Sequence, residues 1–535
     1  MINFGEFSEL DQIGTRECKT WRDDILSRHS GIAKYLMKAY RRTTTARGYV
    51  TANKQLMALS KSLVLKNTRL KLDSDIDSLG DRCKAMARKA ERVLHRTYHS
   101  RGEHYALNAV RQIVEDTGIK FPLDEKHTED EMLAAFARVI EPNWWRSQLK
   151  PLQWRKMEDF IRRLGFVNKH DEIYISDFSL RRRMLQKNQS QKLMVRIEVD
   201  NQEGIVLSLA EIAEHSPSNP IVRRAELMVR MRGFEDFATN STDNFQGVFF
   251  TLTCPSKFHA TLSSGKPNTN YQGATVAEAQ AHLNTVWQRT RSAYDRKQLT
   301  PFGMRVVEPH HDGTPHWHLL LFFPEDQVEQ ASKIFNQYAL EVDGDEHGAS
   351  EHRLKVVAIN PEKGSATGYI AKYIAKNIDG HQVDFDHYGY DAIQSAIRIE
   401  AWASINGIRQ FQQIGGASIT VWRELRRLAE YETDKKLLKK LIQAADEGDW
   451  ASYNELMGGM ICPRNQRPIR PMLLERKETN RYGEAVKVIK GLLFGSLPMI
   501  TRPFEWVTRL QPKTTKNIAE DGVGYGAALS TAPPG

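Results

Sequence analysis

The strongest constraint on the fold is an alternation of strand and helix patterns between residues 247 and 378. Short runs rich in β-branched and aromatic residues predict strands at 247–253, 303–309, 315–323 and 353–359. Helical periodicity predicts helices at 275–297, near 326–340 and at 366–378. The order β-α-β-β-α-β-α is that of a split βαβ unit with an extra helix, centred on an antiparallel hairpin. The sequence therefore predicts an α+β fold built on a ferredoxin-like antiparallel sheet.

The flanks of this segment predict mainly helical structure. A polar stretch at 236–247 separates a long helical N-terminal part from the strand-rich centre. We therefore expect three regions: a mainly helical N-terminal region at 1–240, a central domain at 241–430, and a helical C-terminal region at 431–535. The last two dozen residues are rich in Gly, Ala and Pro, and predict a flexible tail.

The charge balance permits a nucleic-acid partner without requiring one. Lys and Arg number 76 against 66 Asp and Glu, a formal net charge of +10. The first hundred residues hold 20 basic and 11 acidic residues, so the excess is concentrated there. A second basic strip is formed by Arg181, Arg182, Arg183 and Lys187. Both stretches indicate either contacts to a DNA backbone or an ordinary solvated face.

Several classes of protein are excluded. The four cysteines lie far apart with no CxxC pair, so neither a zinc ribbon nor a disulfide scaffold organises the fold. The first residues carry acids and lack the apolar core of a signal peptide. No apolar run approaches the roughly 20 residues of a membrane span, and the longest candidate, 488–500, is broken by Lys490 and Pro498. We expect a cytosolic protein with reduced thiols and no membrane partner.

The predicted hairpin carries a candidate metal site. His316 and His318 stand two apart on a strand, so their imidazoles project from the same face. If the hairpin folds symmetrically about Asp312, Glu308 lies opposite His316 and adds a carboxylate. Such a set suits a divalent cation. The alternatives are histidines with a structural or solvent-exposed role, or a zinc site on His310 and His311, although adjacent strand residues point to opposite faces.

The predicted helix at 366–378 carries two candidate nucleophiles. Tyr369 and Tyr373 are four residues apart and share a face, as do Lys372 and Lys376. Tyrosine is a poor nucleophile at neutral pH because its pKa is about 10, but it becomes useful when a metal ion polarises a phosphoryl group. The lysines would neutralise phosphate charge or lower the tyrosine pKa. The alternative is that both tyrosines only pack.

Three segments in order carry a family resemblance. FFTLTCPSKFH at 249–259, EPHHDGTPHWHLLLF at 308–322 and ATGYIAKYIAK at 366–376 resemble the three motifs of HUH-superfamily rolling-circle replication initiators. The chain most resembles the bacteriophage replication gene A protein family. The resemblance is strong across 245–430 and also covers AWASINGIRQFQQIGG at 401–416. It implies an HUH nicking and joining endonuclease domain at 241–430.

The resemblance also implies roles for individual residues. His316 and His318 would bind Mg²⁺ or Mn²⁺, with Glu308 completing the metal site. Tyr369 and Tyr373 would attack the scissile phosphate of single-stranded DNA at a replication origin, form a 5′-phosphotyrosine link and release a 3′-OH. Lys376 matches the lysine that follows the second tyrosine of the motif. The first motif, Thr251-Leu252-Thr253, is interpreted as a structural strand.

The resemblance further implies partners and a location. The chain lacks the GxxxxGK[ST] phosphate loop, so unwinding needs a separate helicase, which in this family is a host enzyme. The expected location is the cytoplasm of the bacterial host, and region 1–240 is a candidate for DNA binding or helicase recruitment. Three alternatives stay open: a conjugative relaxase or HUH transposase, a non-catalytic origin-binding protein, and a metal-dependent hydrolase without a covalent intermediate.

Overall fold

The computed structural model describes residues 10–386 and 388–511. The sequence-based predictions of a flexible tail at the end of the chain, and of an N-terminus without a signal peptide, fall largely outside these residues. The N-terminal part is helical, as predicted, and comprises α1 (Arg16–Arg28), α2 (Ala33–Arg47), α3 (Tyr49–Ser62), α4 (Ile76–Arg101), α5 (Glu103–Glu115), α6 (Glu129–Val139), α7 (Pro142–Arg163) and α8 (Asp177–Arg196). It is followed by β1 (Ile197–Asn201), β2 (Val206–Ser208), α9 (Leu209–Glu214) and α10 (Pro220–Asn240).

The central segment has the predicted element order. It comprises β3 (Phe245–Leu252), α11 (Val276–Arg296), β4 (Phe302–Pro309), β5 (Pro315–Pro324), α12 (Val328–Ala339), α13 (Ala349–His352), β6 (Leu354–Ala358), α14 (Ala366–Ile378), α15 (Ala392–Asn406) and β7 (Phe411–Ile414). The strands form one antiparallel sheet in the order β6-β3-β5-β4-β7. The first four strands of this sheet have the split βαβ order, and the predicted mixed α+β class is confirmed.

Each face of the five-stranded sheet packs against its own pair of helices. On one face, Phe250 of β3 and Leu319 of β5 join the buried residues of α11 and α12. On the other, Phe249 and Leu320 pack against α10 and α14. Successive side chains of β3 and β5 therefore point alternately to the two faces of the sheet. Both faces are apolar because helices cover both of them. The second face also carries the candidate site, at the end of the sheet nearest the β4–β5 turn.

Contacts cross the predicted boundary at residue 240. α10 lies before that boundary, yet its Leu227, Met231 and Phe234 belong to the same buried cluster as the central sheet. α7 lies earlier still and sends the buried Arg162 into the β4–β5 turn. The N-terminal region therefore contributes structure to the central domain and is not merely appended to it.

The C-terminal region differs from the expectation of a helical segment. α16 (Ile419–Leu425), α17 (Lys436–Glu447) and α18 (Trp450–Leu456) are followed by β8 (Ile469–Glu475), β9 (Lys487–Phe494), β10 (Leu497–Ile500) and β11 (Trp506–Leu510). β9 and β10 are a tight hairpin in which Leu497 pairs with Phe494 across Gly495, whose φ is 59°. β11 pairs with β1, which lies about 300 residues earlier in the sequence. Local sequence patterns do not indicate this pairing. The helical prediction was therefore wrong for residues 469–510.

None of the helices in the described residues is both long and apolar enough to cross a membrane. The apolar run at 488–500, the longest in the sequence analysis, forms β9 and β10 instead.

Candidate active site

The β4–β5 hairpin brings the predicted metal ligands together. Glu308 is paired with His316 in the sheet register, as the symmetric hairpin predicted. The imidazoles of His316 and His318 lie on one face of β5, with ring centroids 4.7 Å apart. The Glu308 carboxylate reaches diagonally across the hairpin, and its Oε1 lies 3.0 Å from Nε2 of His318. The three side chains thus form one cluster on the sheet.

The cluster carries a buried ion pair. Lys376 of α14 places Nζ 3.3 Å from Oε2 of Glu308, and their side chains are 12% and 9% exposed. Asn377 of the same helix donates to the same carboxylate oxygen at 3.2 Å. Burial alone would raise the pKa of Glu308, but the positive charge of Lys376 and the neighbouring His318 outweigh burial and hold that pKa well below its usual range. Glu308 is therefore an ionised carboxylate at neutral pH.

Thr251 of β3 and Thr253 just after this strand each contact one of the two histidines. Thr251 Oγ1 lies 3.2 Å from Nδ1 of His318, and Thr253 Oγ1 lies 3.2 Å from Nδ1 of His316. A hydrogen bond at Nδ1 fixes the ring orientation and leaves Nε2 as the nitrogen that faces the cluster. The interpretation of Thr251-Leu252-Thr253 as a structural strand missed this contact, although the spacing of the two threonines, two residues apart in an extended segment, was a signal for it.

A third histidine lies against the pair. His310 follows β4, and its ring centroid is 4.3 Å from that of His316. Its Nε2 is buried and has no hydrogen-bond partner among the described residues. His311 turns the other way and packs against Tyr388 at 5.9 Å, so the two adjacent histidines diverge, as expected. Burial, reinforced by nearby histidines, lowers the pKa of His310 to about 3 and that of His316 well below its usual range. Both rings are therefore neutral at pH 7.

The two tyrosines of α14 differ in their surroundings. The ring of Tyr373 is half-buried and lies 4.0 Å from the ring of His318 between centroids. Burial, then the charge of Glu308, raises the pKa of Tyr373 to about 12. Tyr369, one turn earlier, is 47% exposed and lies 5.8 Å from Phe249. Both rings contact Phe249 of β3, so they share the face of α14 that meets the sheet.

The two lysines of α14 also have different surroundings. Lys376 is tied to Glu308, whereas Lys372 is exposed. The expectation that these lysines lower a tyrosine pKa is not met at Tyr373, because its pKa is raised. The positive charge of Lys376 instead pairs with the carboxylate of Glu308.

A residue from the N-terminal region anchors the hairpin. Arg162 is 1% exposed and donates from Nε to the carbonyl oxygen of Asp312 at 2.7 Å and from Nη2 to Oγ1 of Thr314 at 2.7 Å. Its Nη1 also donates to the carbonyl oxygen of Ala274 at 2.8 Å. Arg162 therefore fixes the turn that separates Glu308 from His316. Sequence reasoning could not find it, since about 150 residues lie between the partners.

The donor atoms of the cluster lie close together but contact one another. Within residues 10–386 and 388–511, no three His, Cys, Asp or Glu side chains are already spaced as a cage for a metal ion. The reason lies in the contact between Glu308 and His318, which joins two predicted ligands directly.

The fold and the site define an α+β protein in which a histidine–carboxylate cluster on a sheet lies beneath a helix with two tyrosines. The family model for the bacteriophage replication gene A protein matches residues 71–381, more than half of the chain. The chain therefore belongs to the bacteriophage replication gene A protein family. No solved structure matches it.

Individual relatives agree with this membership. The chain is 39% identical to the replication gene A protein of Escherichia phage 186 over 412 residues, covering 75% of this chain and 59% of that protein. It is 40% identical to the replication protein of Haemophilus phage HP1 over 418 residues, covering 75% and 53%. It is 34% identical over 367 residues to a probable replication endonuclease from a prophage-like region of Salmonella paratyphi A, covering 65% and 46%. The matches thus span between about half and three-fifths of these relatives' length.

Proposed function

We propose that the chain is a site-specific single-strand DNA endonuclease and strand transferase that initiates and terminates phage rolling-circle replication. The observation that carries the proposal is the position of Tyr373, whose ring lies 4.0 Å from that of His318. A nucleophile beside a histidine–carboxylate cluster is what covalent cleavage of a phosphodiester needs. Membership of a phage replication family supports replication over conjugation or transposition, which would use the same chemistry.

The cleavage step is a transesterification. The Oη atom of Tyr369 or Tyr373 attacks the scissile phosphorus, and the bond from phosphorus to O3′ breaks. The phenolic proton is lost and the departing O3′ takes up a proton, so a 5′-phosphotyrosine and a free 3′-OH result. The 3′-OH primes synthesis. One phosphodiester is exchanged for another of similar energy, so resealing needs no ATP.

The second tyrosine completes the cycle. After one round the first tyrosine is still esterified to DNA, and a fresh nucleophile is needed to cut the regenerated site. Tyr369 and Tyr373 share one face of α14 and both contact Phe249, so either reaches the same region of the sheet. The released 3′-OH then attacks the older phosphotyrosine, frees that tyrosine and closes the circle.

The donor types of the cluster, two imidazoles and a carboxylate, suit a divalent cation. His316 is neutral at pH 7, Glu308 is ionised, and the buried Nε2 of His310 lacks a partner among the described residues. We assign His316, His318 and Glu308 as the residues that hold Mg²⁺ or Mn²⁺. The cation would supply positive charge that polarises the scissile phosphate.

The protein's own residues prepare the nucleophile. A phenol whose pKa is about 12 is almost fully protonated at neutral pH, so Tyr373 is inactive until positive charge is added near it. Lys376 lies next to Glu308 and balances its negative charge, which otherwise opposes formation of a tyrosinate. Thr251 and Thr253 keep the two histidine rings in place while DNA binds.

The remaining parts of the proposal concern partners and location. The chain lacks a GxxxxGK[ST] loop, and we assign the unwinding of the duplex to a host DNA helicase. The substrate is single-stranded DNA at the replication origin, and the location is the cytoplasm of the bacterial host.

The test is transfer of labelled DNA to the protein. Single-stranded origin fragments labelled on the 3′ side of each candidate nick are incubated with the chain and resolved on a denaturing gel. We expect label on the protein with Mg²⁺ or Mn²⁺ and none with a chelator. Cleavage without protein-linked label would instead identify a metal-dependent hydrolase, and binding without cleavage a non-catalytic origin-binding protein.

A further inference from the structure

Helix α4 presents an arginine face to solvent. At 26 residues it is the longest helix of the described part of the chain, and one side of it is buried in the N-terminal core through Cys83, Met86, Ala90 and Leu94. Arg88, Arg92 and Arg96 recur every four residues on the opposite side and are exposed. We call these three residues the α4 arginine face.

The arginine face lacks acidic partners. Between residues 82 and 101 the helix carries seven Lys and Arg and one acid, Glu91. The described residues place no carboxylate within ion-pair distance of Arg88, Arg92 or Arg96, while Lys84 nearby pairs with Asp81 at 3.3 Å. Arg92 hydrogen-bonds only the carbonyl of Arg88 within its own helix. Three parallel, uncompensated guanidinium groups repel one another, so the face favours an anionic partner.

The second basic strip of the sequence is used differently. Arg182 of α8 donates to the carbonyl oxygens of Leu72 and Ser74 at 3.1 and 2.7 Å. Arg183 pairs with Glu400, and Lys187 lies 3.8 Å from the same carboxylate. These cations hold the N-terminal helices to each other and to α15. The contrast shows that this chain compensates basic residues where they serve packing, and leaves those of α4 open.

We infer that the α4 arginine face binds the phosphates of double-stranded DNA. Successive arginines are one turn apart, about 6 Å along the axis, and the three span about 12 Å, similar to the width of the major groove. The planar guanidinium group binds phosphate oxygens in pairs. This function is separate from nicking, because no hydrogen bond or ion pair joins α4 to the tyrosines or the histidine cluster among the described residues.

The arrangement of the aromatic residues on α4 favours a duplex over single strands. Proteins that bind single strands alternate basic residues with aromatic rings on which bases stack. His95 and His99 project from the arginine side of α4, but their rings stack on each other with centroids 6.3 Å apart. Tyr98 is 49% exposed, but it lies about 120° around the helix from Arg92. The arginine face therefore contacts the backbone without reading bases.

The test measures how duplex affinity depends on salt. A triple variant with Arg88→Gln, Arg92→Gln and Arg96→Gln is titrated between about 50 and 200 mM salt with a labelled random-sequence duplex and, separately, with one of its single strands. A chelator is present, so the result does not depend on whether the chain cleaves DNA. Three lost phosphate contacts should make the slope of log affinity against log salt less steep by about 2–3. Affinity at the lowest salt should fall about tenfold or more.

A control variant with the same change in net charge separates the effect of the arginine face from the effect of net charge. Lys436→Gln, Lys439→Gln and Lys440→Gln remove three exposed cations from α17. We expect this variant to keep the parent's slope. A second triple variant with lysine at 88, 92 and 96 keeps the charge and should also keep the slope, and melting curves verify that all variants are folded.

Three results would overturn the inference. The first is an unchanged salt slope in a folded glutamine variant. The second is an equal loss in the α17 control, which would assign the effect to net charge. The third is a loss confined to single-stranded probes, which would make a single strand the occupant of this face.

Discussion

Replacing Lys376 with Met should destabilise the protein by leaving Glu308 buried without its cation. The two side chains are only 12% and 9% exposed and lie 3.3 Å apart. Removing one partner of a buried pair costs about 3–5 kcal/mol, mostly because the other charge is left uncompensated. For a chain of this size that lowers the melting midpoint by about 3–5 °C. Lys372→Met on the same helix removes an exposed lysine and should change stability by less than about 0.5 kcal/mol.

Two further measurements isolate the carboxylate as the cause. The double variant Lys376→Met, Glu308→Gln removes the uncompensated charge of Glu308. The amide that replaces the carboxylate keeps hydrogen bonds to Asn377 and His318. Most of the lost stability should therefore return. Mn²⁺ should also stabilise Lys376→Met, by about 2.7 kcal/mol at a hundred times its dissociation constant, and should stabilise the double variant less.

The pH dependence of this loss has a definite sign. In the parent chain the pKa of Glu308 is held well below its usual range, so its stabilising effect is present above the unfolded pKa and is lost as pH falls through the folded pKa. Without Lys376, burial acts with less opposition and raises the pKa of Glu308. The stability gap between parent and variant should therefore be widest at neutral pH and narrow in acid. A loss equal to that of Lys372→Met, or a gap that widens in acid, would refute the reasoning.

Three further predictions follow from the contacts around the hairpin. His316→Ala and His318→Ala should abolish nicking with little loss of fold, since each removes a proposed cation ligand; nicking by either variant in chelator would contradict this, and gel cleavage assays decide it. Thr251→Val and Thr253→Val should weaken Mn²⁺ affinity about 10–100-fold, measured by calorimetry, while an unchanged affinity would make both threonines purely structural. Arg162→Met should lower the free energy of unfolding by more than about 3 kcal/mol in denaturant titrations, because buried carbonyl groups lose their donor; a loss below about 1 kcal/mol would show that the turn is held otherwise.

The central sheet could be predicted because its signals are local. Each strand is a short run of β-branched and aromatic residues, and the spacing from Glu308 to His316 fixes the hairpin register that the structure shows. The shared face of Tyr369 and Tyr373 follows from helical spacing alone. Contacts between residues that are close in sequence, or directly opposite in a hairpin, could therefore be predicted from the sequence.

The unpredicted features depend on contacts between distant parts of the chain. Arg162 reaches the turn from α7, and β11 pairs with β1 across about 300 residues. The pairing of Lys376 with Glu308 joins a helix to a strand through tertiary packing, so helical spacing alone could not show that this lysine neutralises a carboxylate. Thr251 and Thr253 were visible in the sequence, but their role depends on which strand lies beside β3.

The most direct test of the central claim is the yield of covalent adduct from tyrosine variants. Tyr369→Phe, Tyr373→Phe and the double variant are incubated with labelled single-stranded origin DNA and Mg²⁺, and protein-linked label and circular product are measured. Tyr431→Phe removes a tyrosine of similar exposure, 41%, away from the site and serves as the control. We predict that each single variant keeps some adduct but fails to complete circles, that Tyr373→Phe loses more, and that the double variant forms none. Adduct in the double variant at the level of the Tyr431→Phe control would contradict the assignment of these tyrosines as nucleophiles.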